Sequence, residues 1–106
     1  MPSIKLMADY ESWPLWWAGE HEPGNIDPQT LPISAETRDL LQNWAGAFNA
    51  TLNWEDPASS GFSTVAARVA FYKEGVLLWK KLQSELAPTY VVLYQGPGGE
   101  FPRHPG

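Results

Sequence analysis

The chain has 106 residues and a formal net charge of −5, with six tryptophans and no cysteine. This length suits one domain with one modest core, and the lack of cysteine excludes disulfides, a thiol nucleophile and cysteine-based metal centres. The sequence has neither a basic-then-apolar leader nor the roughly 18 consecutive apolar residues of a membrane span, so we expect a cytoplasmic protein.

The surplus of negative charge is concentrated in the N-terminal third. Residues 6–37 hold six acids and no lysine or arginine, whereas residues 38–106 hold six acids and six bases. A negative field of this kind repels nucleic acid and attracts a basic protein. A simpler interpretation is that the charge only keeps a tryptophan-rich surface in solution.

The first residues alternate between apolar and polar side chains. This alternation predicts a half-buried strand over Ser3–Glu11. After Pro14, the residues Leu15–Trp17 predict either a second strand or an extended arm that returns beside the first. Gly19–Thr30 is rich in turn-forming residues and is predicted to be a loop.

Two helices are predicted in the middle of the chain, separated by a polar turn that contains proline and glycine. Ser34 is a good N-cap, and apolar residues at helical spacing after it predict a helix over Ala35–Thr51. The second helix is expected to begin after a cap at Ser60 or Ser63 and to run to about Leu86.

The second helix has two adjacent apolar stripes, which predicts burial on more than one side. The first stripe consists of Phe71, Gly75, Leu78, Leu82 and Leu86. The second stripe consists of Val65, Val69, Tyr72, Val76 and Trp79. Gly75 lies inside the first stripe, where its missing side chain predicts a close approach by a strand or a helix.

The last regular segment, Thr89–Gln95, is β-branched and aromatic on both faces. This predicts a central strand, or a strand whose outer face is covered by the N-terminal arm or by a second subunit. The glycine- and proline-rich residues 96–106 predict an irregular or disordered tail after a domain of residues 1–95. The order strand, second strand, helix, helix, strand predicts an α+β fold. We expect a two- or three-stranded sheet with an antiparallel helix pair on one face and the last strand beside the first.

Metal chemistry has little support in the sequence. His21 lies between Glu20 and Glu22, and His104 lies in the predicted tail. One histidine among acids in a loop is more typical of a solvated side chain than of a metal ligand or a member of a catalytic triad. We therefore expect no metal and no cofactor.

The paired acids Glu55 and Asp56 keep an enzymatic alternative open. Acid pairs cleave glycosidic bonds, and nearby tryptophans stack on sugars, so a small hydrolase acting on a sugar-like substrate is conceivable. The simpler interpretation is that Asp56–Pro57 opens a turn and that Glu55 is solvated.

The six tryptophans divide into two groups. Trp44 and Trp79 fall on the helical stripes and are predicted to be core residues. The others lie in strand-edge or loop contexts: Trp13, Trp16, Trp17 and Trp54. Tryptophan beside acids is a plausible anchor for a basic protein surface, although such rings can also close the open ends of a small core.

Two stretches resemble known proteins. Residues 5–10 (KLMADY), running on to residues 14–16 (PLW), and residues 51–62 (TLNWEDPASSGF) resemble signatures of a group of small acidic bacterial proteins. The similarity extends through Glu74–Gly75 and Leu82–Gln83, so it covers most of the chain except the tail. That group has no assigned activity, so the resemblance transfers no catalytic residue. In size and acidity the chain is similar to immunity proteins that neutralise bacterial toxins.

These observations predict a non-enzymatic binding protein, most concretely an immunity protein or antitoxin that covers a basic toxin with an acidic, tryptophan-bearing surface. We expect neither nucleic acid nor a membrane as its partner. The predicted contact residues are Trp16, Trp17, Glu20, Glu22, Trp54, Glu55 and Asp56. Besides the hydrolase, a purely structural homodimer remains an alternative, in which the strand Tyr90–Tyr94 pairs across a two-fold axis.

Overall fold

The computed structural model describes residues 3–18, 24–52, 61–96 and 99–101, the last three by their backbone. Over these residues the chain forms five strands and two α-helices. The strands are β1 (Ser3–Leu6), β2 (Leu15–Ala18), β3 (Gly24–Asn25), β4 (Val91–Gly96) and β5 (Gly99–Phe101). The helices are α1 (Ala35–Asn49) and α2 (Val65–Leu86). Neither described helix combines the length and the apolarity that crossing a membrane requires.

The strands form one mixed sheet in the order β3-β2-β1-β4-β5. β1 pairs with β2 antiparallel and with β4 parallel, so the α+β class and the position of the last long strand beside the first are confirmed. The prediction of two or three strands was wrong because β3 and β5 are too short to show a strand period. Gly24–Asn25, predicted as loop, pairs with Trp16–Trp17.

Strand β5 pairs with the end of β4 and lies within the predicted tail. Residues 97–98 and 102–106 of that tail lie outside the described residues. The division into a domain of residues 1–95 and a tail of residues 96–106 stays a prediction.

The helix boundaries follow their capping residues. Ser34 caps α1 as predicted, and its hydroxyl accepts the N–H of Thr37. α1 ends at Asn49 rather than Thr51, because Thr51 closes a turn by donating its N–H and its hydroxyl to the Phe48 carbonyl. α2 is capped by Thr64 rather than Ser63, and Ser60 lies outside the described residues.

Both helices pack on one face of the sheet. The predicted first stripe of α2 is buried along its whole length, which confirms that prediction. The predicted burial of the second stripe is confirmed only in part, since Val65 and Val69 are 76% and 42% exposed. α1 and α2 are antiparallel, and the start of α1 at Ser34 lies beside the end of α2 at Glu85. Because α2 has 22 residues and α1 has 15, the N-terminal part of α2 extends beyond the C-terminal end of α1.

Gly75 lies where the two helices and the sheet meet. A Cβ placed there would lie 2.8 Å from Tyr94 Cζ and 2.9 Å from Trp44 Cζ2, far inside van der Waals contact. The space lets Trp44 Nε1 donate to the Phe71 carbonyl (2.9 Å) and Tyr94 Oη donate to the Tyr72 carbonyl (3.0 Å). Burial raises the pKa of Tyr94 to about 12, so its hydroxyl remains a donor. The predicted close approach is confirmed.

Two side chains of α2 occupy the outer edge of β4 where β5 does not reach. The Gln83 amide donates to the Tyr90 carbonyl (3.1 Å) and accepts the Val92 N–H (2.9 Å), while Trp79 Nε1 donates to the Val92 carbonyl (2.7 Å). With β1 on the other side, β4 has no free edge for strand pairing among the described residues. The predicted pairing of Tyr90–Tyr94 across a two-fold axis is therefore not available in this sheet, and a homodimer formed in another way stays a prediction.

The carboxylate of Glu85, at the end of α2, joins that helix to the start of α1. It accepts the Ser34 N–H (2.7 Å) and the hydroxyl of Thr37, which is fully buried. Lys81 bridges it to Glu36, with Nζ 3.8 Å from Glu85 and 2.8 Å from Glu36. Burial alone would raise the pKa of Glu85, but the hydrogen bonds from Thr37 and Ser34 and the charge of Lys81 outweigh it and lower the pKa.

Gly75→Ala and Gly46→Ala should change stability in opposite directions. The methyl group at position 75 would push Trp44 and Tyr94 off the carbonyls of α2, which should cost about 1–3 kcal/mol. At position 46 a Cβ has no described atom within 4 Å, so alanine should stabilise α1 by up to about 1 kcal/mol. Urea unfolding of both variants measures this, and equal stability of the two would contradict the packing described.

Glu85→Gln should make stability less dependent on acid pH. The folded-state pKa of Glu85 lies below its ordinary value of 4.5, so its carboxylate stabilises the fold above that pH and loses this effect as pH falls through the lowered pKa. At pH 7 the variant should be less stable by roughly 1–3 kcal/mol, because buried Thr37 loses a charged acceptor. Unfolding free energies measured across the acid range should show that the difference in stability between Glu85→Gln and the unmodified chain narrows below pH 4.5.

The matched control is Glu74→Gln, which neutralises an exposed glutamate on the same helix. Its unfolding free energy should run parallel to that of the unmodified chain at every pH. A stability difference between Glu85→Gln and the unmodified chain that stays constant from pH 7 to acid pH would show that the charge of Glu85 does not stabilise the fold.

Candidate partner-binding site

Trp16 and Trp17, the two predicted contact residues that the structure describes, lie on opposite faces of the sheet. Paired residues share a face, and Trp17 pairs with buried Ile4 whereas Trp16 pairs with Lys5. Trp17 packs against the core, with its ring 6.0 Å from that of Tyr90. Trp16 is half-buried, and its Nε1 donates to the Met7 carbonyl (3.0 Å). A partner that covers one face of the sheet therefore reaches only one of the two rings.

The second face of the sheet, called the open face, lies away from both described helices. Lys5, Trp16, Val91, Leu93 and Gln95 lie on it, and each is half-buried. Neither described helix covers this face. The predicted cover of β4 is confirmed on the helix side, where Val92 and Tyr94 are buried, and stays a prediction on the other side.

The remaining predicted contact residues lie outside the described part of the chain: Glu20, Glu22, Trp54, Glu55 and Asp56. The described residues that flank them lie at opposite ends of the β1–β2 hairpin. Ala18, before residues 19–23, pairs with Ser3 at the start of β1. Thr51, before residues 53–60, bonds through its hydroxyl to Tyr10 Oη (2.8 Å), in the connection that follows β1.

A groove of about 720 Å³ lies at this second end, between residues 11–14 and α1. Trp13 and Asn25 contribute to one wall, and Asp39, Gly46 and Asn49 contribute to the other. The N–H of Glu11, a residue with positive φ (56°), donates to Asn49 Oδ1 (2.9 Å). This bond holds the connection between β1 and β2 against the end of α1.

Trp13 is a large exposed side chain on a fixed backbone. The Asn25 side chain accepts its N–H (3.1 Å) and donates to its carbonyl (2.7 Å), and also donates to the Leu15 carbonyl (2.9 Å). The Trp13 side chain is nevertheless 49% exposed. Its position in a loop before Pro14 was a signal in the sequence, but Trp13 was left out of the predicted contact set.

The charges along the groove are mostly acidic. Glu11 and Asp39 are exposed on its lining, which also includes Arg38. Arg38 makes long hydrogen bonds to the carbonyls of Pro28 (3.5 Å) and Leu31 (3.4 Å). No group of three or more potential metal ligands occurs in the described residues, and His21 and His104 lie outside them.

Comparison with known families assigns the chain. The sequence model of the family described as Serratia CdiI immunity protein-like matches residues 2–97. The chain belongs to this family. Membership confirms the similarity to immunity proteins that the size and acidity of the chain suggested. No individual curated protein matches the chain significantly.

As a member of this immunity-protein-like family, the chain presents two described surfaces of different chemistry. The open face of the sheet is largely apolar around Trp16, Val91 and Leu93. The groove beside α1 combines an exposed aromatic ring with carboxylates. Protein interfaces commonly combine an apolar or aromatic centre with a polar rim, so both surfaces suit a protein partner.

Proposed function

We propose that the chain is a non-enzymatic immunity protein that neutralises a bacterial toxin by binding to it. The match of the immunity-protein-like family over residues 2–97 is the observation that carries this proposal. The cytoplasmic location expected from the sequence is part of the proposal.

The proposed toxin presents a basic surface to this chain. The net charge of −5 and the six acids within residues 6–37, where no lysine or arginine occurs, support this partner chemistry. Opposite charges on two proteins accelerate their encounter, and the acceleration weakens as salt screens the field. Tryptophan burial would then slow dissociation of the complex.

The proposed contacts are those predicted from the sequence: Trp16, Trp17, Glu20, Glu22, Trp54, Glu55 and Asp56. Two facts bear on how one partner could use them. Trp16 faces the open side of the sheet while Trp17 packs toward the helices. The segments that hold the five other residues are attached at opposite ends of the hairpin.

Changing Glu20 or Glu22 to lysine should slow association with the toxin. The toxin is first captured from a lysate of the source cell at low salt and identified by mass spectrometry. Association rates are then measured over a salt series. Each variant should associate several-fold more slowly at low salt and show a weaker salt dependence, because a contact charge has been reversed.

The matched control is Glu74→Lys, which makes the same change of charge at an exposed position on α2. It separates a local contact from the general effect of net charge. If Glu20→Lys and Glu22→Lys slow association no more than Glu74→Lys, these two acids are not contact residues. If no basic protein is captured, the proposed partner chemistry is wrong.

A further inference from the structure

Gly46 has no structural reason within the described fold to be a glycine. It lies inside α1, where glycine weakens a helix relative to alanine. No described heavy atom lies within 4 Å of a Cβ placed there, in contrast to Gly75, where a Cβ would collide with Trp44 and Tyr94. Gly46 lines the groove beside residues 11–14, so its missing side chain widens that groove.

Trp13 lies on the other side of the same groove. The residue is 49% exposed, while its peptide N–H and carbonyl are both bonded to the Asn25 side chain. A ring on a fixed backbone loses little conformational freedom when a partner covers it, which is typical of residues that contribute strongly to binding. An exposed indole face also attracts a planar cation.

The acidic side chains of the groove favour a positively charged group as its occupant. Glu11 and Asp39 are two exposed carboxylates on its lining, and Arg38 is its one described cation. The guanidinium of Arg38 already points toward the Leu31 carbonyl. A flat guanidinium from a partner suits this chemistry better than an ammonium, because it stacks on tryptophan and forms forked hydrogen bonds with carboxylates.

We infer that the groove between residues 11–14 and α1 receives an arginine side chain of the toxin, stacked on Trp13 over Gly46 and paired with Glu11 or Asp39. This site lies outside the seven contact residues predicted from the sequence. It rests on the proposed function for the identity of its occupant, but its chemistry can be tested without the toxin.

The first experiment titrates the full ¹⁵N-labelled chain with N-acetyl-arginine-methylamide and follows amide and indole signals by NMR. The control is N-acetyl-citrulline-methylamide, which has nearly the same shape and no charge. The arginine probe should shift the Trp13 indole N–H and the Gly46 amide, and citrulline should shift them several-fold less. Asp39→Asn should reduce the arginine shifts, whereas shifts of equal size with both probes would overturn the inference.

A variant that fills the groove provides the second test. Gly46→Trp adds a ring where the described structure has open space, so the fold should be retained, as the dispersion of the NMR spectrum will show. It should abolish the shifts at Trp13 caused by arginine, while Gly46→Ala, which narrows the groove by one methyl group, should reduce them by a smaller amount. Unchanged arginine shifts in a folded Gly46→Trp variant would overturn the inference.

Binding to the captured toxin then separates this inference from the proposed function. Gly46→Trp should weaken toxin affinity by about tenfold or more, and Gly46→Ala should weaken it by less, about two- to threefold. Full toxin affinity in Gly46→Trp would overturn the inference that the groove binds an arginine of the toxin, and it would leave the proposed function intact. Arginine binding by a chain that captures no toxin would overturn the proposed function and leave the arginine site intact.

Discussion

The missing side chain at Gly75 fixes the distance between the helix pair and the sheet. Through that gap Trp44 of α1 and Tyr94 of β4 both reach carbonyls of α2, at Phe71 and Tyr72. Each carbonyl keeps a second lone pair that the helix itself does not use, so these bonds add to the helix without breaking it. One residue therefore sets the positions of both helices over the sheet, and with them the wall of the groove that α1 provides.

The parts of the fold that depend on local pattern could be predicted from the sequence. The buried stripe of α2, the Ser34 cap and the β1–β2 pair all have a periodic or capping signal within a few residues. Contacts between distant residues have no such signal. Glu85 bonds to Ser34 across 51 residues, and Gln83 replaces a neighbouring strand at the edge of β4. The strands β3 and β5 were missed because two or three residues carry no period.

The candidate site was less predictable than the fold, and the reasons differ by residue. Trp16 and Trp17 looked like one aromatic patch because they are adjacent, yet neighbouring side chains of a strand such as β2 face opposite ways. The sequence alone showed Trp13 as an aromatic residue in a loop and Gly46 as a glycine in a helix, with nothing to connect the two. Only the fold shows that they line one groove, because Asn49 holds Glu11 against α1 and Asn25 fixes the backbone of Trp13 beside it.

The central claim, that this chain neutralises a toxin, is tested most directly by growth of cells that express the captured toxin with and without this chain. The account predicts that the toxin alone stops growth and that co-expression of the chain restores it. A chain carrying Gly75→Ala, whose fold should be weakened, should protect less well. Growth arrest that persists despite abundant folded chain would contradict the account.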